Sequence, residues 1–120
     1  MPKLIGSPTP IESVGNKTKF VDEYVGFVNT GESRASITVV HSPTGWEGVN
    51  QWADYDEYRI VLKGMLRVEH AGGTLDVGAK QGVHVMPREW VRFSTPGEGG
   101  ADYINVCLPA FSAKTVHREK

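Results

Sequence analysis

One hundred and twenty residues with 13 basic against 14 acidic side chains make one domain of common size, able to bury a single core. That balance excludes the one-signed field expected of a nucleic-acid or membrane-surface binder, and no apolar run approaches the roughly 18 residues that span a bilayer. A lone cysteine, Cys107, excludes an intrachain disulfide and fits a reducing compartment; with no basic-then-apolar leader pattern at the N-terminus, the expectation is a soluble cytoplasmic protein.

Residues 1–13, with Pro2, Pro8 and Pro10, read as an extended arm, either loose or lying along a sheet edge; residues 14–120 read as the single domain. Residues 14–28 fit a short helix by the spacing of Phe20, Val21, Tyr24 and Val25, or a strand over Val25-Gly26-Phe27-Val28. Ser36 to His41 is β-branched and alternating, a strand broken by Ser42-Pro43-Thr44-Gly45. Tyr58 to Leu62 is a second strand, ended by the turn signal Lys63-Gly64. Met65 to His70 alternates, and Ala71-Gly72-Gly73 turns it back into Thr74 to Val77 as a hairpin. Val83 to Met86, Val91 to Ser94 and Tyr103 to Leu108 complete the set. About eight short strands at roughly 8–12-residue spacing, without a long amphipathic helix, predict an all-β sandwich or closed barrel.

The stretch around Glu57 carries the chemistry. On a strand, side chains alternate faces, so Glu57, Arg59 and Val61 share one face and Tyr58, Ile60 and Leu62 the other. The apolar face reads as packing. A face that opens on an acid and a base suits a cavity mouth. If residues 51–53 are extended, Gln51, Ala53 and Glu57 point into the same space. Trp46, Trp52 and Trp90 flank this region, as floors for a sugar or ring, as rim packing, or as a dimer interface.

The remaining candidates divide. His41, ending the strand before this stretch, is the best placed imidazole for proton transfer near neutrality. His84 faces either side of its strand, while His70, beside a turn, and His117, in the polar tail, read as surface. No His-x-His or His-x3-His spacing exists, so no intrinsic metal site is expected. Lys17 and Tyr24 either close over the cavity or form an ordinary solvated pair. Cys107 lies in an apolar run without a basic neighbour and reads as a buried structural thiol.

Gly45, Gln51, Ala53, Glu57 and Gly64 stand at the spacing of glycine-x5-His-x-His-x3-Glu-x6-glycine, and Pro87, Glu89, Arg92 and Pro96 at that of proline-x-Gly-x2-His-x3-Asn. These frames resemble the two motifs of the cupin superfamily. With YDEYRIVLKGMLRVEH, EWVRFSTP and VCLPAFSAKTVHRE, the chain looks like a small single-domain (RmlC-like) cupin of the ethanolamine-utilisation-like or sugar-phosphate-isomerase-like group. The resemblance implies a small cupin β-barrel, a double-stranded β-helix or jelly roll. Its metal histidines are replaced by Gln51, Ala53 and Arg92, and only Glu57 remains of the usual four ligands. It also implies that Glu57 and Arg92 face each other across the barrel. A metal-free small cupin with a comparable Pro-Ala-Phe stretch is a nucleoside-aldehyde dehydratase, which makes elimination chemistry conceivable on this scaffold.

The expectation is therefore a metal-independent enzyme of isomerase, dehydratase or lyase type. It would act without a cofactor on a small anionic or sugar-like molecule. Glu57 is the expected acid/base with His41 as helper; Gln51, Arg59 and Arg92, with Trp46 and Trp90, bind the substrate. The alternatives are a non-catalytic binder of a sugar or organic acid and, less favoured, a metal-dependent oxygenase. No nucleic-acid or membrane partner is expected. The open edges of a lone barrel call for cover, which a homodimer is one way to supply; monomer and dimer both stay open at this point.

Overall fold

A computed structural model describes residues 1–119. Its elements are β1 (Thr9–Ile11), β2 (Phe20–Val25), β3 (Ser36–Ser42), β4 (Trp46–Glu47), β5 (Gln51–Ala53), β6 (Asp56–His70), β7 (Gly73–Gly78), β8 (Gly82–Val85), β9 (Val91–Thr95), β10 (Ala101–Leu108) and β11 (Val116–Arg118). All pairings are antiparallel. The expected all-β barrel forms, and the undecided stretch 14–28 yields the strand β2 rather than a helix. No helix among the described residues is long and apolar enough to cross a membrane.

The barrel is organised by β6, a single strand of 15 residues. Its first half pairs with β10 and β8, its second half with β7 and β9. The expected turn at Lys63-Gly64 does not end the strand. Gly64 takes φ +82°, a left-handed value that glycine adopts without a Cβ penalty, and a Cβ there would lie 2.1 Å from the Gly100 carbonyl oxygen. The strand bends at that contact, opposite a register shift between Asp102 and Tyr103, and passes from one sheet to the other.

The arm is not loose where it meets the sheet. Residues 9–11 pair with β2, Thr9 opposite Glu23 and Ile11 opposite Val21, so the sheet order runs β1-β2-β3-β10-β6-β9-β5-β11. Further along, the segment before β2 is strapped to the loop around β4. The Asn16 amide donates to the Glu47 carbonyl at 3.1 Å and the Trp46 indole N–H to the Val14 carbonyl at 3.0 Å.

Inward positions of alternating strands fill the interior: Val40, Val61, Leu66, Val68, Phe93 and Tyr103 are among a cluster that excludes water. Burying each such side chain contributes about 1.5–3 kcal/mol. The alternation along β6 is as expected, but the sense of its apolar face is reversed. Glu57, Arg59 and Val61 point inward at 3%, 5% and 0% exposure, while Tyr58, Ile60 and Leu62 lie on the outer surface at 38%, 46% and 52%. The interior takes the polar pair because that end of the barrel is hollow.

Candidate functional site

The hollow end holds a narrow pocket of about 80 Å³, open to solvent at one end. A small molecule fits that space as it stands, and a larger ligand would extend into the open mouth. β6 places Glu57 and Arg59 on its wall. β10 runs beside β6 in a register that sets Cys107 opposite Glu57 and Asn105 opposite Arg59. With period two, Tyr103, Asn105 and Cys107 therefore line the same wall.

Glu57 and Arg59 form a buried ion pair. Glu57 Oε2 accepts from Arg59 Nη2 at 3.1 Å and from Asn105 Nδ2 at 3.1 Å. Its other oxygen makes no hydrogen bond among the described residues. Arg59 Nη1 donates to the Tyr103 hydroxyl at 3.3 Å, and the guanidinium carbon sits 3.5 Å from the centre of the Phe93 ring. Burial works against this guanidinium's charge, but the Glu57 carboxylate outweighs it and holds Arg59 firmly protonated. Among the described residues Arg59 Nε has no hydrogen-bond partner. A buried pair needs most of its hydrogen bonds filled to offset desolvation; Asn105, Tyr103 and Phe93 supply what Glu57 and Arg59 do not give each other.

The neighbouring groups are kept neutral. Burial, then the Glu57 charge, raises the Tyr55 phenol, and burial raises that of Tyr103. Both stay hydrogen-bond donors at neutral pH. Burial, then Glu57, pushes the Cys107 thiol up to about 12, so the cysteine is the unreactive buried thiol its apolar run suggested.

Gln51, 9% exposed on β5, lines the pocket and accepts from Arg118 Nε at 3.4 Å. Trp46, 2% exposed, forms a wall. At the mouth stands Lys19, half-buried just before β2, its Nζ 3.8 Å from the centre of the Trp46 ring. Burial, then the Arg59 guanidinium, lowers the Lys19 pKa to about 7.

Three expected site residues lie elsewhere. Arg92 points out of β9, because Val91 and Phe93 take the inward positions of that strand. Its Nε donates to Glu69 Oε2 at 2.7 Å, and its Nη2 lies 3.8 Å from Glu47. The expected opposition of Glu57 and Arg92 does not occur; Arg59, two residues along the same strand, takes that place. His41 is exposed on the outer face of β3, paired with Asp102 and stacked near Phe20, so it cannot help Glu57. Trp90 is 49% exposed outside the pocket. His84 and His117 likewise pair with Asp56 and Asp54 on the surface, and His70 accepts from the Gly72 amide. Lys17 is exposed and donates to the Thr44 carbonyl at 3.0 Å.

Of the expected residues, Gln51, Glu57, Arg59 and Trp46 meet in one pocket. Tyr103, Asn105, Phe93, Lys19 and Arg118 join them unannounced. Tyr103 and Asn105 follow from strand alternation once the β6–β10 pairing is known, and Phe93 from the pairing of β6 with β9. Lys19 and Arg118, near opposite chain ends, carried no local signal. Among the described residues no three His, Cys, Asp or Glu side chains converge as a metal site; the side chains around Glu57 Oε2 are the Arg59 guanidinium, the Asn105 amide and the Cys107 thiol, whose Sγ lies 3.9 Å away.

No family model matches the chain. Among curated proteins it is similar to the endoribonuclease YbeY of Myxococcus xanthus, 34% identical over 102 residues, which are 84% of this chain and 34% of that protein. The chain thus spans about a third of the length of that relative. Among solved structures it is similar to Streptomyces Pac13 with uridine, at 13% identity and TM-score 0.76, covering 98% of this chain and 88% of that one. Pac13 is described as a nucleoside dehydratase. Oxalate decarboxylase of Bacillus subtilis matches at 16% identity and TM-score 0.77, over 95% of this chain and 30% of that one. The ethanolamine utilization protein Q of Salmonella typhimurium matches at 19% and 0.66, over 87% and 97%. At such identities the likeness concerns the fold alone, and it agrees with the curled antiparallel barrel described above: the chain has the cupin fold.

Proposed function

We propose that this chain is a small cupin enzyme that performs general acid–base chemistry, of dehydratase or isomerase type, on a small anionic or polyhydroxylated molecule without a metal. One observation carries the reading. Glu57 is 3% exposed, one carboxylate oxygen is fixed by Arg59 and Asn105, and the other makes no hydrogen bond among the described residues. A carboxylate held on one side and free on the other is positioned to take or give a proton within a hydrogen-bond length of a bound ligand. Tyr55 and Tyr103 supply neutral donors, and Gln51 an amide, for the ligand's oxygens. Arg118 and Lys19 at the mouth favour an anionic end. The likeness to Pac13 supports elimination on such a scaffold. The name of the Myxococcus relative points to RNA, but it belongs to a protein of which this chain spans about a third, and a charge balance of 13 to 14 offers a polyanion no field.

The test is a thermal-shift screen against nucleosides including uridine, sugar acids and sugar phosphates, followed by solvent-deuterium exchange into the best ligand. Binding kept and exchange lost in Glu57→Gln supports the enzyme. Tight binding with no exchange in the wild type makes the chain a binding protein instead. Binding untouched by changes at Gln51 and Arg118 removes the pocket from the account.

A further inference from the structure

Lys19 is the lysine that lines the pocket, and unlike Arg59 beside it, which pairs with Glu57, it makes no ion pair among the described residues. Its amine stands over an indole ring that is itself pinned, Trp46 being 2% exposed and hydrogen-bonded to Val14. Its backbone N–H is held by Ser13 Oγ at 3.3 Å. The pocket it overlooks also contains Arg59 and Arg118. An ammonium is dehydrated by the wall and repelled by the Arg59 guanidinium, against the pull of the Glu57 carboxylate, and its pKa falls to about 7; the Trp46 face also pulls modestly the other way. A substantial share of the amine is then unprotonated at neutral pH, which makes it a nucleophile of the kind that forms Schiff bases.

We propose that Lys19 is a carbonyl-capturing amine and that the pocket takes a small aldehyde or ketone bearing an anionic group, held as an imine on Nζ with the anion against Arg118. The inference rests on the reading of this pocket as the ligand site. The Nζ lone pair attacks the carbonyl carbon and the carbonyl π pair moves to oxygen, giving a carbinolamine. That oxygen then leaves as water, the two amine hydrogens going with it in the net reaction, and the C=N bond forms. Nothing is oxidised or reduced. An imine withdraws electrons from the adjacent carbon, so Glu57 would find a more acidic proton there than in the free carbonyl compound.

Trapping tests it directly. The protein is incubated at pH 7 with pyruvate, or in parallel with the uncharged propionaldehyde, in the presence of cyanoborohydride, and adducts are located by peptide mass spectrometry. Lys3, Lys17, Lys63, Lys80 and Lys114 are exposed and serve as internal controls. The expected result is about tenfold or more adduct on Lys19 than on any of them, the factor that one pKa unit carries, and its loss in Lys19→Arg. Arg118→Gln lowers capture of pyruvate and leaves that of propionaldehyde. Label distributed by exposure, with Lys19 no more reactive than Lys17, overturns the proposal; equal effects of Arg118→Gln on both reagents overturn its anionic half. Ligand-induced thermal shifts that persist while trapping fails would sink this inference and leave the acid–base reading standing.

Discussion

Glu23 and Glu57 are both almost wholly buried carboxylates, at 1% and 3% exposure, on strands of the same barrel. Glu23 sits under the loop after β2. Its Oε2 accepts from the backbone amides of Val28 and Asn29, each at 2.9 Å, and Gly26 leaves room for it: a Cβ there would lie 2.6 Å from the carboxylate. Glu57 faces a cavity and answers to a guanidinium and an amide side chain. Backbone amides cannot be exchanged for a ligand without unfolding the loop, so Glu23 is a fastener. Side-chain partners on one oxygen leave the other to a visitor, so Glu57 is available for chemistry. Burial alone does not distinguish the two; the identity of the hydrogen-bond donors does.

The comparison can be broken at several points. Arg59→Leu leaves the Glu57 charge buried without its cation, and a loss of about 3–5 kcal/mol is expected in urea unfolding. A loss under about 1 kcal/mol would mean that the pocket is wetter than its packing implies. Glu23→Ala orphans two backbone amides and is expected to cost about 2–4 kcal/mol, with ligand affinity unchanged once the protein is folded. A specific loss of affinity would erase the contrast drawn here. Glu57→Gln keeps an acceptor for Arg59 and Asn105 but leaves the buried guanidinium without its counter-charge, and is expected to cost about 2–3 kcal/mol while abolishing ligand deuterium exchange.

Two smaller effects sharpen it. Lys19 has its pKa lowered in the folded protein from an ordinary 10.5 to about 7. Between those values the unfolded chain binds the extra proton, so stability rises with pH across that window and is flat, for this group, below it. Urea midpoints measured from pH 6 to 10 should climb in the wild type and climb less in Lys19→Met; parallel curves would remove the shift. Arg92→Ala, an outward residue bound to Glu69, is expected to change stability by about 0.5 kcal/mol or less and ligand affinity not at all. A large loss of affinity would restore the opposition of Glu57 and Arg92 that the cupin frame suggested.

Strand content and the sharing of one face by Glu57 and Arg59 are legible because alternation is a local property of an extended chain. The sense of the apolar face of β6 was not. Tyr58, Ile60 and Leu62 look like core, and only the position of the cavity tells which side is inside. Gly64 was read as an end because glycine punctuates strands; its close approach to Gly100 is a non-local contact and turns the same residue into a bend. The expectation for Arg92 transfers a ligand position across a frame in which Glu89 stands for the glycine and Arg92 itself for the histidine. Phe93 filled the interior, and the arginine one residue earlier had to face out. Lys19 escaped notice because its character comes from Trp46, Arg59 and Arg118, none of them near it in sequence.

Lys19 precedes the second strand, and Arg118 closes the eleventh. The mouth of the cavity thus draws on two segments far apart in the chain, and β11 is held there by pairing with β5, Val116 opposite Ala53 and Arg118 opposite Gln51. Loss of β11 alone would therefore open the Arg118 side of the mouth, while Glu57 and Arg59 keep their places on β6 between β10 and β8.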